Sequence, residues 1–217
     1  MSLLRARPNL QSFKRKTSSL EKAENHMKFT VAFFGDSGVG KSSIIRNLVG
    51  EGYIQEHIPT VEEFYATQMI YRNKTYEFDI IDSSGSYEFP AMRRIAIQKA
   101  DAVVLVYSVD RPKSFTKLEI YLDEIQKCCD DSNRRIPVII VSNKADLPNL
   151  SEPTFADARG IEISACDYLE SLWKCQWLST SARFNLNIAA IFYKLLEKLC
   201  PEKKMRHRST ILKNKFR

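Results

Sequence analysis

No stretch of this 217-residue chain approaches the ~20 consecutive apolar residues that cross a bilayer, so a membrane-spanning reading is excluded. Met1-Ser2-Leu3-Leu4-Arg5 has no apolar core of the kind a secretory signal needs, and Ser2 stands where myristoylation requires glycine. The five cysteines, Cys128, Cys129, Cys166, Cys175 and Cys200, include no CxxC pair. Free or buried thiols in a reducing compartment are expected, rather than disulfides or zinc. The last of them, Cys200, is followed by a basic tail in place of a C-terminal prenylation box, so no farnesyl anchor is expected. No internal repeat is visible.

Basic residues are scarce where a nucleic-acid groove would need them. Residues 1–28 carry seven Lys/Arg against two Glu and residues 201–217 seven against one, so the formal +7 resides in the ends and the body is mildly acidic. That distribution points to tails that meet an anionic surface such as membrane lipid, and no DNA or RNA partner is expected. A cytoplasmic protein follows, with the inner face of the plasma membrane or the nucleus as further places the tails could address. Length and a 44% hydrophobic composition allow one substantial core. The division expected is a basic, disordered extension over 1–27, a domain over 28–200 and a basic tail over 201–217.

The most informative stretch is Gly35-Asp36-Ser37-Gly38-Val39-Gly40-Lys41-Ser42, between the β-rich run Phe29 to Phe34 and the helical pattern Ser43 to Val49. Strand, glycines, then helix is the context of a phosphate-binding P-loop. Glycines let successive N–H groups turn inward on an anion, Lys41 supplies a charge for the β- and γ-phosphates, and the Ser42 hydroxyl suits Mg²⁺. Such a string arises by chance in roughly one chain in a hundred of this length, so its neighbours must decide.

Two further motifs follow apolar strands. Asp82-Ser83-Ser84-Gly85 comes directly after Asp79-Ile80-Ile81, which places a carboxylate for the metal and a Gly85 N–H for a γ-phosphate. Asn143-Lys144-Ala145-Asp146 follows Val138 to Val141. A carboxylate at Asp146 can accept from guanine N1–H and N2–H₂, whereas adenine would leave it unpaired. A P-loop kinase or ATPase of another class is disfavoured on that ground. Ser181-Ala182 offers backbone contact to guanine O6.

The remaining chain reads as alternating strands and helices. Phe64 to Tyr71 and Lys74 to Ile81 form a hairpin about Arg72-Asn73, and Ala102 to Ser108 and Pro137 to Val141 are buried strands. Phe115, Leu118, Leu122 and Ile125 fall on one helix face, and Ile188, Ile191, Phe192, Leu195, Leu196 and Leu199 on another. The fold expected is α/β: a three-layer P-loop NTPase G domain with a mostly parallel six-stranded sheet and helices on both faces.

With these motifs in order over roughly residues 28 to 200, the chain resembles the Ras-superfamily small GTPases, closest to the Ras branch. The resemblance implies a GTP/GDP-regulated switch with Mg²⁺ as cofactor, and Thr60 capping the metal and γ-phosphate. It implies nucleotide contacts at Gly35, Ser37, Gly38, Val39, Gly40, Lys41, Ser42, Ser43, Tyr53, Pro59, Thr60, Gly85, Asn143, Lys144, Asp146, Ser181, Ala182 and Arg183. The metal falls to Ser42, Thr60 and Asp82, and catalysis to Lys41, Thr60, Gly85 and Ser86. Effectors would read Val61 to Tyr65, and an exchange factor and a GTPase-activating protein are implied partners.

Two departures bear on turnover. Ser86 replaces the Gln with which Ras proteins orient the attacking water, and Ser37 replaces a P-loop Gly near the entry of a partner's arginine. Slow intrinsic hydrolysis is expected; the alternative is a GTP-binding scaffold with negligible hydrolysis. The stretch Leu147 to Ile161 is an insertion between the guanine motifs and has no assigned role.

Overall fold

The computed structural model describes residues 27–54, 62–83, 90–148, 150, 152–156 and 160–201, with the side chains at 155, 156, 166, 170 and 172 excepted. The near-continuous apolar runs become interior strands because both of their faces are covered. Strand β4 (Ala102–Ser108) is buried at every residue, and β1 (Met27–Phe34) at its last four. Side chains alternate across a strand. Val31, Phe33, Val104 and Val106 therefore enter one core, and Ala32, Phe34, Val103, Leu105 and Tyr107 the other.

The first core is closed by α1 (Lys41–Val49) and α6 (Ile188–Leu199). Ile188, Ile191, Phe192, Leu195 and Leu196 form the buried stripe expected for the last helix. The Phe192 ring meets Phe78 edge-on at 4.6 Å between centroids. The second core is closed by α2 (Pro90–Lys99), α3 (Pro112–Thr116) and α4 (Leu118–Ser132). Arg93 on α2 reaches α4 through a two-pronged bond to Glu124, at 2.9 and 2.7 Å.

Strands β2 (Glu62–Tyr71), β3 (Lys74–Ser83), β5 (Val138–Asn143) and β8 (Gln176–Ser179) complete a six-stranded sheet ordered β2-β3-β1-β4-β5-β8. Only β2 runs antiparallel to its neighbour; the other pairings are parallel. The Arg72-Asn73 hairpin turn has both residues at positive φ, 50° and 60°, as a two-residue turn matched to strand twist requires. This is the three-layer α/β architecture the periodicities imply. Gly50, at φ 88°, ends α1, and the N–H groups of Gly50 and Glu51 return to Asn47 O and Arg46 O.

Two features differ from expectation. The single helix carrying Phe115, Leu118, Leu122 and Ile125 is two helices, divided at Lys117, whose ammonium pairs with Asp36 at 2.8 Å. The Thr116 hydroxyl bonds back to Lys113 O at 3.0 Å just before the break. On α4 the buried positions are Leu118, Tyr121, Ile125 and Cys128, with Leu122 only half-buried. Within and beyond the insertion, β6 (Thr154–Ala156) and β7 (Glu162–Ser164) form a separate antiparallel pair. α5 (Ala165–Tyr168) and a π-helical turn over Leu169–Trp173 follow.

Among the described residues no helix is long and apolar enough to cross a membrane. Cys128, Cys129, Cys175 and Cys200 are free thiols. Phe192→Ala is expected to lower unfolding stability by about 3–5 kcal/mol, read as an earlier urea midpoint, because it opens a cavity where α6 meets the sheet.

Candidate functional site

The turn after β1 sits at the carboxyl end of the central strand, and its backbone is shaped by what lies around it. A Cβ at Gly35 would fall 2.1 Å from Val106 O, and one at Gly40 2.2 Å from Asn143 Nδ2. Gly40 also has φ 98°, in the left-handed region, and caps α1 as its carbonyl accepts from Ile44 N at 3.0 Å. Only glycine meets both demands. The first turn of α1 holds no acidic residue, so its positive dipole end is uncompensated by a nearby carboxylate on the same helix.

Lys41 is buried, and its ammonium donates to Gly35 O at 3.0 Å and Asp36 O at 3.1 Å. Burial lowers its pKa to about 8, while the Asp82 and Asp36 carboxylates oppose that fall. Asp82, near the end of β3 and opposite Phe33 of β1, is fully buried. Neither of its oxygens has a partner at bonding geometry. Burial pushes its pKa up, against the pull of the Ser42 hydroxyl and the Lys41 ammonium. A buried carboxylate beside a hydroxyl is a set of hard oxygen ligands, and it fits Mg²⁺, which takes one or two carboxylates and completes its shell with waters and phosphates. Among the described residues there is no group of three or more His, Cys, Asp or Glu side chains that could hold a metal.

Asn143, at the end of β5, joins this turn to the other loops. Its Nδ2 donates to Val39 O at 2.9 Å, and its Oδ1 accepts from Ala182 N at 3.1 Å and Thr180 Oγ1 at 3.3 Å. The Ser181 hydroxyl donates to Asp146 Oδ1 at 2.6 Å and accepts from Phe184 N at 3.2 Å. Asn47 on α1 donates to Ala182 O. Lys144, at φ 65°, pairs with Asp110 at 2.9 Å.

The structure thus brings together Gly35, Ser37, Gly38, Val39, Gly40, Lys41, Ser42 and Ser43 with Asp82, Asn143, Lys144, Asp146, Ser181 and Ala182. Ser42 and Ser43 open α1, both half-buried, and Ser37 is exposed. Tyr53 is 43% exposed, and Arg183 is exposed with its guanidinium over the Phe184 ring. Pro59, Thr60, Val61, Gly85 and Ser86 lie outside the described residues, as do 1–26 and 202–217 of the two basic ends; Met27, expected in the extension, opens β1.

Two cations at this site were not legible in advance. Arg111 Nη1 donates to Ser37 O at 2.8 Å, its guanidinium 2.7 Å from where a Gly38 Cβ would stand, and Lys117 holds the Asp36 carboxylate. The two flank the short helix Pro112–Thr116, and the three cations Arg111, Lys113 and Lys117 within seven residues about a proline-started helix were the available signal.

The chain is also similar in sequence to known proteins. A family model described as "Ras family" matches residues 30–201. The chain is 34% identical to the "GTP-binding protein Di-Ras2" of Macaca fascicularis, over 80% of this chain and 82% of the relative. It is 32% identical to the human "GTP-binding protein Di-Ras1", with the same coverage of each. It is 31% identical to the "Ras-like protein 1" of Saccharomyces cerevisiae, over 78% of this chain and 52% of that protein.

The Asn143 contacts have a measurable cost when removed. Asn143→Ala leaves a buried carbonyl and a buried N–H without partners, so unfolding stability is expected to fall by about 2–4 kcal/mol in urea titration, with secondary structure by circular dichroism unchanged.

Proposed function

The chain belongs to the Ras family of GTP-binding, GTP-hydrolysing signalling proteins, and from that premise we propose a switch that turns over slowly and is read by effectors at Val61 to Tyr65. The observation that supports this site assignment best is the Asn143 carboxamide, which joins the glycine turn at Val39 to the loop at Ala182. A ligand spanning those two loops must carry anionic groups at one end and a planar hydrogen-bonding group at the other.

At the anionic end, Lys41, the α1 N-terminus and the N–H groups of residues 38–43 hold the phosphates. Asp82 and Ser42 are the described residues that would hold Mg²⁺, with Thr60 completing the set. When bound, the ion neutralises charge that develops on the phosphates. At the other end Asp146 accepts from the guanine N1–H and 2-amino group, held at its rear by the Ser181 hydroxyl. Lys144, steadied by Asp110, and the backbone of Ser181 and Ala182 line the purine, with Tyr53 and Arg183 at its margin. Gly35 and Val39 keep the turn narrow, and Pro59 precedes the Thr60 contact.

Slow turnover rests on Ser86, which is too short to orient a water against the γ-phosphate as Gln does. Gly85 would meet the γ-phosphate through its N–H, so the two loops about Thr60 and Gly85 order with GTP and relax with GDP. Ras-family membership brings effectors, exchange factors and activating proteins as partners in general. For this chain we place the effector contact at Val61 to Tyr65, which runs into the start of β2, a sheet edge open to strand addition. The basic ends suit anionic lipid on a cytoplasmic membrane face. A scaffold that binds GTP with negligible hydrolysis is the second reading, favoured by Ser86 together with the side chain at Ser37.

Purified protein is expected to carry guanosine di- or triphosphate, and Asp146→Asn to weaken guanine binding at least about 100-fold; retention as tight as before would overturn the purine assignment. In single-turnover assays without a partner, the wild type should hydrolyse GTP more slowly than a Gln-bearing Ras, and Ser86→Gln should accelerate it about tenfold or more. A wild-type rate equal to that of an ordinary Ras refutes slow turnover. A GTP complex that stays unhydrolysed even with Ser86→Gln favours the scaffold.

A further inference from the structure

The insertion between the guanine motifs has a residue that reaches back into the fold. Glu152 is half-buried, and its carboxylate accepts from two hydroxyls: Ser142 Oγ to Oε1 at 2.5 Å, and Tyr107 OH to Oε2. Tyr107 and Ser142 are fully buried register partners on β4 and β5. Trp177 on β8 donates its indole N–H to the same Tyr107 oxygen at 2.9 Å, so the carboxylate bonds β4 and β5 directly and reaches β8 through Tyr107. The next residue, Pro153, gives its carbonyl to Ala165 N at 2.9 Å, and β6 starts directly after it.

Ser142 is the pivot. Its side chain faces Glu152, while its carbonyl accepts from Thr180 N at 2.7 Å and Thr180 Oγ1 at 3.1 Å. The residue after it is Asn143, and the residues after Thr180 are Ser181 and Ala182. The insertion is therefore clamped one residue upstream of the loop that carries Asp146. Without the carboxylate, two buried hydroxyl donors would lose their acceptor, and the strand ends would shift to find new ones.

We propose that Glu152 is a positioning residue for purine selection: by fixing the Tyr107 and Ser142 hydroxyls it sets where the 143–146 and 181–182 loops stand, and so how squarely Asp146 meets the base. This inference rests on the assignment of Asp146 to guanine. Glu152 does not touch the nucleotide; it acts through Ser142.

The test compares affinities of the full chain for GDP and inosine diphosphate, which lacks the 2-amino group, so that their ratio reports the aim of Asp146. A fraction of misfolded protein lowers both affinities together and leaves the ratio alone. Glu152→Ala is expected to reduce the GDP preference about tenfold. Glu152→Gln, which keeps an acceptor for one hydroxyl and a donor for the other, should retain most of it. If Glu152→Ala cannot be recovered folded, Ser142→Ala severs the same link and should reproduce the loss. A wild-type ratio in the folded alanine variant, Glu152→Ala or its substitute Ser142→Ala, overturns the proposal. Asp146→Asn serves as the control: if it too leaves the ratio unchanged, the purine assignment has failed, whereas a ratio that moves with Asp146 but not with Glu152 removes this inference alone.

Discussion

One buried carboxamide ties the nucleotide loops to one another. Asn143 donates to the turn at Val39 and accepts from Thr180 and from Ala182, which satisfies both ends of its amide in surroundings where water cannot substitute. Asp at that position would lose the donor and face Val39 O with like partial charge, and a longer side chain would not fit beside Gly40, whose missing Cβ leaves the room Asn143 Nδ2 occupies. The glycine turn and the loop at Ala182 thus share a single hydrogen-bonding group, and neither can be displaced without disturbing the other.

Around that link the charges are graded by depth. Lys41 lies inside the turn, desolvated and held by two carbonyls, while Arg111 and Lys117 brace its outer side at Ser37 and Asp36. Asp36 serves both, since its carbonyl receives the inner ammonium and its carboxylate the outer one. Asp82 has no donor at bonding geometry, and its carboxyl group shares a low-dielectric wall with the Lys41 ammonium. On the reading proposed above, a triphosphate with a divalent cation complements both of them.

Much of this was readable from the chain. The strands declared themselves because residues buried on both faces must be apolar throughout, as in Ala102 to Ser108, and the last helix because its stripe recurs at helical spacing. The loops carrying Gly35 to Ser42 and Asn143 to Asp146 were legible because glycine, lysine, asparagine and aspartate have few other reasons to follow such strands. The break at Lys117 was hidden, since the apolar positions on either side of it keep nearly the same phase. Arg111 and Glu152 were hidden for another reason: each acts on a group distant in sequence, Ser37 and Tyr107, and no local pattern encodes that meeting.

The placement of the strands also orders how the site comes apart. The glycine turn springs from β1, which is paired on both sides, whereas the loop holding Ser181 and Ala182 leaves β8, a four-residue strand paired with β5 alone. Fraying begins where fewest ladder bonds restrain the chain. The Ser181–Ala182 side of the site is accordingly the one the sheet restrains least, and the Asn143 carboxamide moors it to the better-anchored glycine turn.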